Sequence, residues 1–147
     1  MLGRMGGVHI LLVDDSPGEL LLAQEAFSVH SEAVRLTTFS DARGAMAWLA
    51  GAAGDLPDLI LADVNLPGLS GLDWLRSLKE QPALRHIPVV VMSVAAPPQQ
   101  IAEAYALRAC GYLPKAPSFG EFQKQIDALV NFWSRCMFAR PPAATLS

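Results

Sequence analysis

Asp63 closes the apolar run Leu59-Ile60-Leu61-Ala62, and Val64-Asn65-Leu66-Pro67-Gly68 turns away at once. Two more apolar runs end in oxygen-bearing side chains: Ile10-Leu11-Leu12-Val13 runs into Asp14-Asp15, and Val89-Val90-Val91-Met92 runs into Ser93. A fourth stretch, Cys110-Gly111-Tyr112-Leu113-Pro114, delivers Lys115. In an open parallel sheet ligands bind outside the carboxyl ends of the strands, so these side chains should converge in one crevice. Phosphoryl transfer to a carboxylate needs an oxygen nucleophile in line with the donor and cations to absorb charge on the equatorial oxygens. Asp63 is the candidate nucleophile. Asp14 and Asp15 beside it would form a carboxylate cluster whose mutual repulsion calls for a cation. Mg2+ suits that cluster, being a hard ion that is commonly held by one or two carboxylates plus phosphate oxygens. Lys115 would supply a point charge, and Ser93 a hydroxyl donor, to the phosphoryl oxygens. Any one of these acids could instead be a helix cap or a solvated turn residue. Asp14-Asp15 remains open to that reading, although Ser16 already serves as a cap.

The elements that must position these residues alternate between short apolar runs and helical patterns, the signature of βαβ units around a parallel sheet. Strands are expected at about 8–14, 34–39, 58–63, 88–93 and 110–114. Ser16-Pro17-Gly18-Glu19 reads as a capping box with proline at the first helical position, and Leu20, Ala23 and Phe27 give that helix its buried face. Ser40 or Asp41 starts a second helix ending near Gly51. Leu72, Leu75 and Leu78 mark a third that stops before Pro82, and a fourth runs from about Pro98 to Arg108. Ser118-Phe119-Gly120-Glu121 opens the last, whose stripe of Phe119, Phe122, Ile126, Leu129, Val130, Trp133 and Met137 is expected to face the sheet. Phe132 and Phe138 fall off that stripe and are either scattered surface apolars or a contact surface.

At 147 residues the chain fits one domain with a core of its own. A net charge of −3, with only Lys79, Lys115 and Lys124 as lysines, leaves no electrostatic footprint for nucleic acid. No apolar run approaches the roughly 20 residues that span a bilayer. Residues 1–7 lack the apolar centre of a signal peptide, so the cytoplasm is the expected compartment. Cys110 and Cys136 lack metal-ligand spacing and read as buried thiols. Residues 1–7 are taken as an extension, 8–138 as the domain, and 139–147, with Pro141-Pro142, as a flexible tail.

Three acids, a hydroxyl and an amine, placed at the ends of four strands, resemble the receiver domain of two-component response regulators from about Val8 to Phe138. The resemblance implies a flavodoxin-like five-stranded parallel sheet of order 2-1-3-4-5 with helices on both faces. It implies that a sensor histidine kinase phosphorylates Asp63 with Mg2+. Asp15 and Asp63 would ligate the metal directly, Asp14 through water, and Asn65 through its backbone carbonyl. Ser93 would move toward the phosphoryl group and open space for Tyr112, whose rotamer accompanies activation; a buried structural tyrosine is the alternative. No output domain follows Lys115 and its helix, which implies a stand-alone regulator whose effector is another protein or a second copy of the chain. The last helix, with Asn131-Phe132-Trp133, is similar to that of the small regulators paired with bacterial phytochromes. A homodimer through this last-helix region is the expected assembly, with phosphorylation chemistry confined to the domain itself and no enzyme activity beyond it.

Two residues depart from the family pattern. Lys115 is followed by Ala116 before Pro117, where family members carry lysine and proline together through a cis bond. A cis bond before a non-proline residue costs about 2.5 to 4 kcal/mol, so the loop is expected to be reshaped. Val94 follows Ser93 where a smaller residue is common, and its bulk is expected to narrow access to Asp63. A flavodoxin-like flavin binder would share the fold, but Asp14-Asp15 would repel its phosphate. A haloacid-dehalogenase-like phosphatase would also use an aspartate nucleophile, though on the first strand of a longer chain.

Overall fold

A computed structural model describes residues 7–52 and 54–138. The chain alternates strand and helix throughout: β1 (Val8–Val13), α1 (Pro17–Ser28), β2 (Val34–Phe39), α2 (Ala42–Ala50), β3 (Leu59–Asp63), α3 (Gly71–Glu80), β4 (Val89–Ser93), α4 (Pro98–Ala106), β5 (Gly111–Pro114) and α5 (Phe119–Trp133). All strand pairs are parallel, in the order β2-β1-β3-β4-β5. Every residue of β1, β3 and β4 is buried, which is why these three read as continuous apolar runs. The edge strands β2 and β5 are only partly covered.

Strand alternation divides the core in two. Leu11, Val13, Ile60, Ala62, Val89 and Val91 pack against α2, α3 and α4 on one face. Ile10, Leu12, Leu59, Leu61, Val90 and Met92 pack against α1 and α5 on the other. The same period carries Asp14 and Asp63 onto the α1/α5 side and Ser93 onto the side shared with Tyr112. The helices start where their caps dictate: Ser16 Oγ accepts the Glu19 N–H, Asp41 Oδ1 the Gly44 N–H, and Ser118 Oγ the Glu121 N–H.

The last helix departs from its expected stripe. Phe122, Ile126, Leu129, Val130 and Trp133 do face the sheet, but Phe119 at the first turn is exposed. The helix ends at Trp133, so a 100° count no longer applies beyond it; Met137 is 98 % exposed. Phe138, expected off the stripe, turns back instead and stacks on Trp133 with ring centroids 5.6 Å apart, packed against the α1/α5 core. Phe132 stays outside at 61 % exposure, edge-on to Trp133. Among the described residues every peptide bond is trans, Lys115–Ala116 included. Residues 1–6 and 139–147, most of the expected extension and tail, lie outside the described residues.

Candidate functional site

Asp63 is the last residue of β3 and is buried. Its Oδ1 accepts the Asn65 N–H at 2.9 Å, and its Oδ2 accepts from Lys115 Nζ at 3.0 Å. The turn after it is pinned by the Gly71 N–H, which donates to the Val64 carbonyl. Gly71 has to be glycine there, because a Cβ would lie 2.2 Å from the Asp63 carbonyl oxygen. Asp14 follows β1 and does two jobs at once. Its Oδ1 accepts the Ser16 N–H at 3.0 Å, closing the turn into α1, while its Oδ2 accepts from Lys115 Nζ at 3.0 Å. One carboxylate thus both braces the start of α1 and faces the Lys115 ammonium.

Lys115 is fixed from behind, its N–H donating to the Ser93 carbonyl at 2.9 Å. Its Nζ meets a third carboxylate, Glu19, on the first turn of α1. Oxygens of Asp14, Glu19 and Asp63 all lie within 4.8 Å of one another. Asp15 is exposed and stands outside this group, and Asn65 is exposed as well. Glu19 is the site residue that sequence reasoning missed, since its capping-box position accounted for it. The signal available was an acid one helical turn past the strand-end pair, on the side the helix turns toward the crevice.

Burial pushes the Asp14 carboxyl up to about 6, against the opposing Ser16 amide and Lys115 ammonium. Burial is the largest single influence on Glu19 and would raise it, but the hydrogen bond and charge of Lys115, together with the hydrogen bond to Asp14, hold the group below its usual range. The three carboxylates in turn raise Lys115 above its ordinary value, against the burial that would lower it. Three carboxylates facing one ammonium carry excess negative charge at a partly desolvated site, and each acid offers it an oxygen. That donor set fits a hard divalent cation.

On the other face of the sheet Ser93 Oγ is buried and has no hydrogen-bond partner among the described residues. Tyr112 directs its hydroxyl to Gln100 Oε1 at 2.6 Å and the Ala95 carbonyl at 3.1 Å, tying β5 to α4 and to the loop that leaves β4. Above the acids a cavity of about 490 Å3 opens between α1 and α5, walled by Leu22, Met92, Val94, Phe119 and Phe122. Val94 is 74 % exposed and forms part of this wall.

The response regulator receiver domain model matches residues 10–127. The chain belongs to the response regulator receiver family. Like other receivers it is similar to "Response regulator Rcp1" of Synechocystis sp., 32 % identical over 128 residues that cover 84 % of this chain and 87 % of Rcp1. The receiver fold also matches the crystal structure of the phosphorylated cyanobacterial phytochrome response regulator RcpA, with a TM-score of 0.83 at 31 % identity, covering 90 % of this chain and 98 % of that one. The Mn(2+)-bound form of Rcp1 matches with a TM-score of 0.78 at 31 % identity, covering 92 % and 99 %. Receivers are signalling domains of two-component systems, which sets aside the flavin-binder and phosphatase readings. No helix among the described residues is long and apolar enough to cross a membrane.

Proposed function

We propose that this receiver accepts a phosphoryl group on Asp63 from a phosphohistidine of a sensor histidine kinase and signals by changed protein–protein binding. The observation that carries the proposal is the buried Asp63 carboxylate with one oxygen held by the Asn65 amide and the other 3.0 Å from the Lys115 ammonium. An Asp63 oxygen attacks phosphorus as the P–N bond to the donor imidazole breaks, and an acyl phosphate forms. Asp14, Asp15 and Asp63, with the Asn65 backbone carbonyl, would hold Mg2+. The chemistry supplied by that ion is neutralisation of charge on the phosphoryl oxygens. Lys115 pairs with one phosphoryl oxygen. Ser93, whose buried hydroxyl lacks a partner among the described residues, donates to another, and its shift is passed to Tyr112 through the loop at Ala95.

Similarity to a regulator described as a phytochrome response regulator supports a bacteriophytochrome as the class of kinase, and with it a cytoplasmic site of action. Self-association through the last-helix region rests on Phe132 and Met137, both exposed, since Phe138 is turned inward. The domain is taken as residues 8–138. Incubation with radiolabelled sensor kinases tests the reading: acid-labile label on the parent and none on Asp63→Asn is the expected result. Full labelling of the variant would remove Asp63 as acceptor.

A further inference from the structure

Glu19 is the member of the acid cluster that no strand end supplies; it comes from the first turn of α1. In a reciprocal capping box its carboxylate would return to the Ser16 N–H. That N–H is already bonded to Asp14 Oδ1, so the Glu19 carboxylate is free of the cap and reaches Lys115 instead. The helix keeps its start, because Ser16 Oγ still accepts the Glu19 N–H.

An ammonium has three protons to give, and Lys115 Nζ meets Asp14, Asp63 and Glu19. Asp14 and Asp63 are buried at the reacting centre, whereas the Glu19 side chain is 43 % exposed at its rim. With all three carboxylates this close, an ammonium and a divalent cation are drawn to the same oxygens. Lys115 must give up Asp14 and Asp63 when a cation takes them, yet stay at hand for a phosphoryl oxygen. The partner it can keep is Glu19. We infer that Glu19 is a positioning residue for Lys115, a counter-ion on α1 that holds the ammonium at the edge of the site while Asp14 and Asp63 are released to the metal. This inference rests on the phosphoacceptor reading above. Without Glu19, Lys115 has among the described residues only the two buried acids to pair with and competes for them.

Calorimetric titration with Mg2+ of the parent, Glu19→Gln, Lys115→Met and the double variant tests it. Glu19→Gln should weaken Mg2+ binding by roughly threefold to fivefold, the scale of a partly exposed ion pair. In the Lys115→Met background the same change should cost less than about twofold, because the competitor has gone. A direct ligand would behave in the opposite way, losing as much or more once Lys115 no longer neutralises it, and that result would overturn the inference. Nitrogen-15 relaxation of the Lys115 ammonium at saturating Mg2+ gives a second readout: restrained in the parent and freely rotating in Glu19→Gln. An ammonium equally restrained in both would overturn it as well. A parent that binds Mg2+ and takes label at Asp63, with Glu19→Gln indistinguishable, defeats only the role of Glu19. A parent that binds no Mg2+ and takes no label defeats the phosphoacceptor reading and this inference together.

Discussion

Replacing Asp14 by asparagine should stabilise the metal-free protein at neutral pH while removing its affinity for Mg2+. Asp14 is 3 % exposed at the end of β1, and burial lifts its carboxyl from 3.8 to about 6. The folded state therefore binds this proton more tightly than the unfolded state. Stability from the protonated form is fully present below pH 3.8 and is lost as pH rises through about 6. At pH 7.5 the ionised group costs the fold at most about 3 kcal/mol, from roughly 1.4 kcal/mol for each pH unit separating the two states. Asparagine keeps the shape and can still accept the Ser16 N–H through its carbonyl oxygen, and Lys115 retains Glu19 and Asp63. A gain of about 1 to 3 kcal/mol is expected in urea denaturation at pH 7.5, falling to about a third of its value at pH 4.5. Mg2+ at ten times its dissociation constant should stabilise the parent by about 1.4 kcal/mol and leave the variant unchanged. A variant no more stable than the parent at pH 7.5 without metal, or a gain that does not shrink in acid, would refute the argument that burial of this charge is what the fold tolerates for the site.

Gly71→Ala should cost about 1 to 3 kcal/mol through overpacking, because its Cβ would meet the Asp63 carbonyl at 2.2 Å, and it should slow phosphate uptake by displacing the acceptor loop; denaturation and labelling rates check the two parts. His9 is buried, with Nε2 against Thr37 Oγ1 at 2.9 Å and Nδ1 against the Arg35 guanidinium at 3.2 Å, and burial lowers its pKa below 6.5, with Arg35 adding to the effect. Its contribution to stability is thus present above pH 6.5 and lost as pH falls through that value toward the folded pKa, so thermal unfolding of His9→Gln should lose part of the parent's decline on acidification. Phe138→Ser should cost about 1 kcal/mol and alter Trp133 fluorescence, since it removes a stacked partner, whereas Phe132→Ser should change stability by less than about 0.5 kcal/mol.

What was legible in the sequence follows from how far each signal travels along the chain. The strand ends could be found because β1, β3 and β4 are covered on both faces and therefore read as unbroken apolar runs that stop abruptly at Asp14, Asp63 and Ser93. Alternation could have said more: with Ile10 and Leu12 pointing to the α1/α5 core, Asp14 continues inward and Asp15 turns outward, as observed. The stripe on α5 was legible only as far as the helix lasts. Once the chain leaves helical geometry after Trp133, Met137 and Phe138 exchange the places that a fixed angle assigns them. Glu19 was hidden for a different reason. Its position three residues after Ser16 satisfies a local capping pattern completely, and nothing within the helix distinguishes a carboxylate that folds back onto Ser16 from one that reaches outward. The choice is made by Asp14, which takes the Ser16 N–H first, and by Lys115, which arrives 96 residues later. A motif fixes where a backbone goes, while the destination of a charged side chain is set by whichever opposite charge the topology brings within reach. In this fold that charge is the lysine at the end of β5, and it turns a capping residue into part of the site.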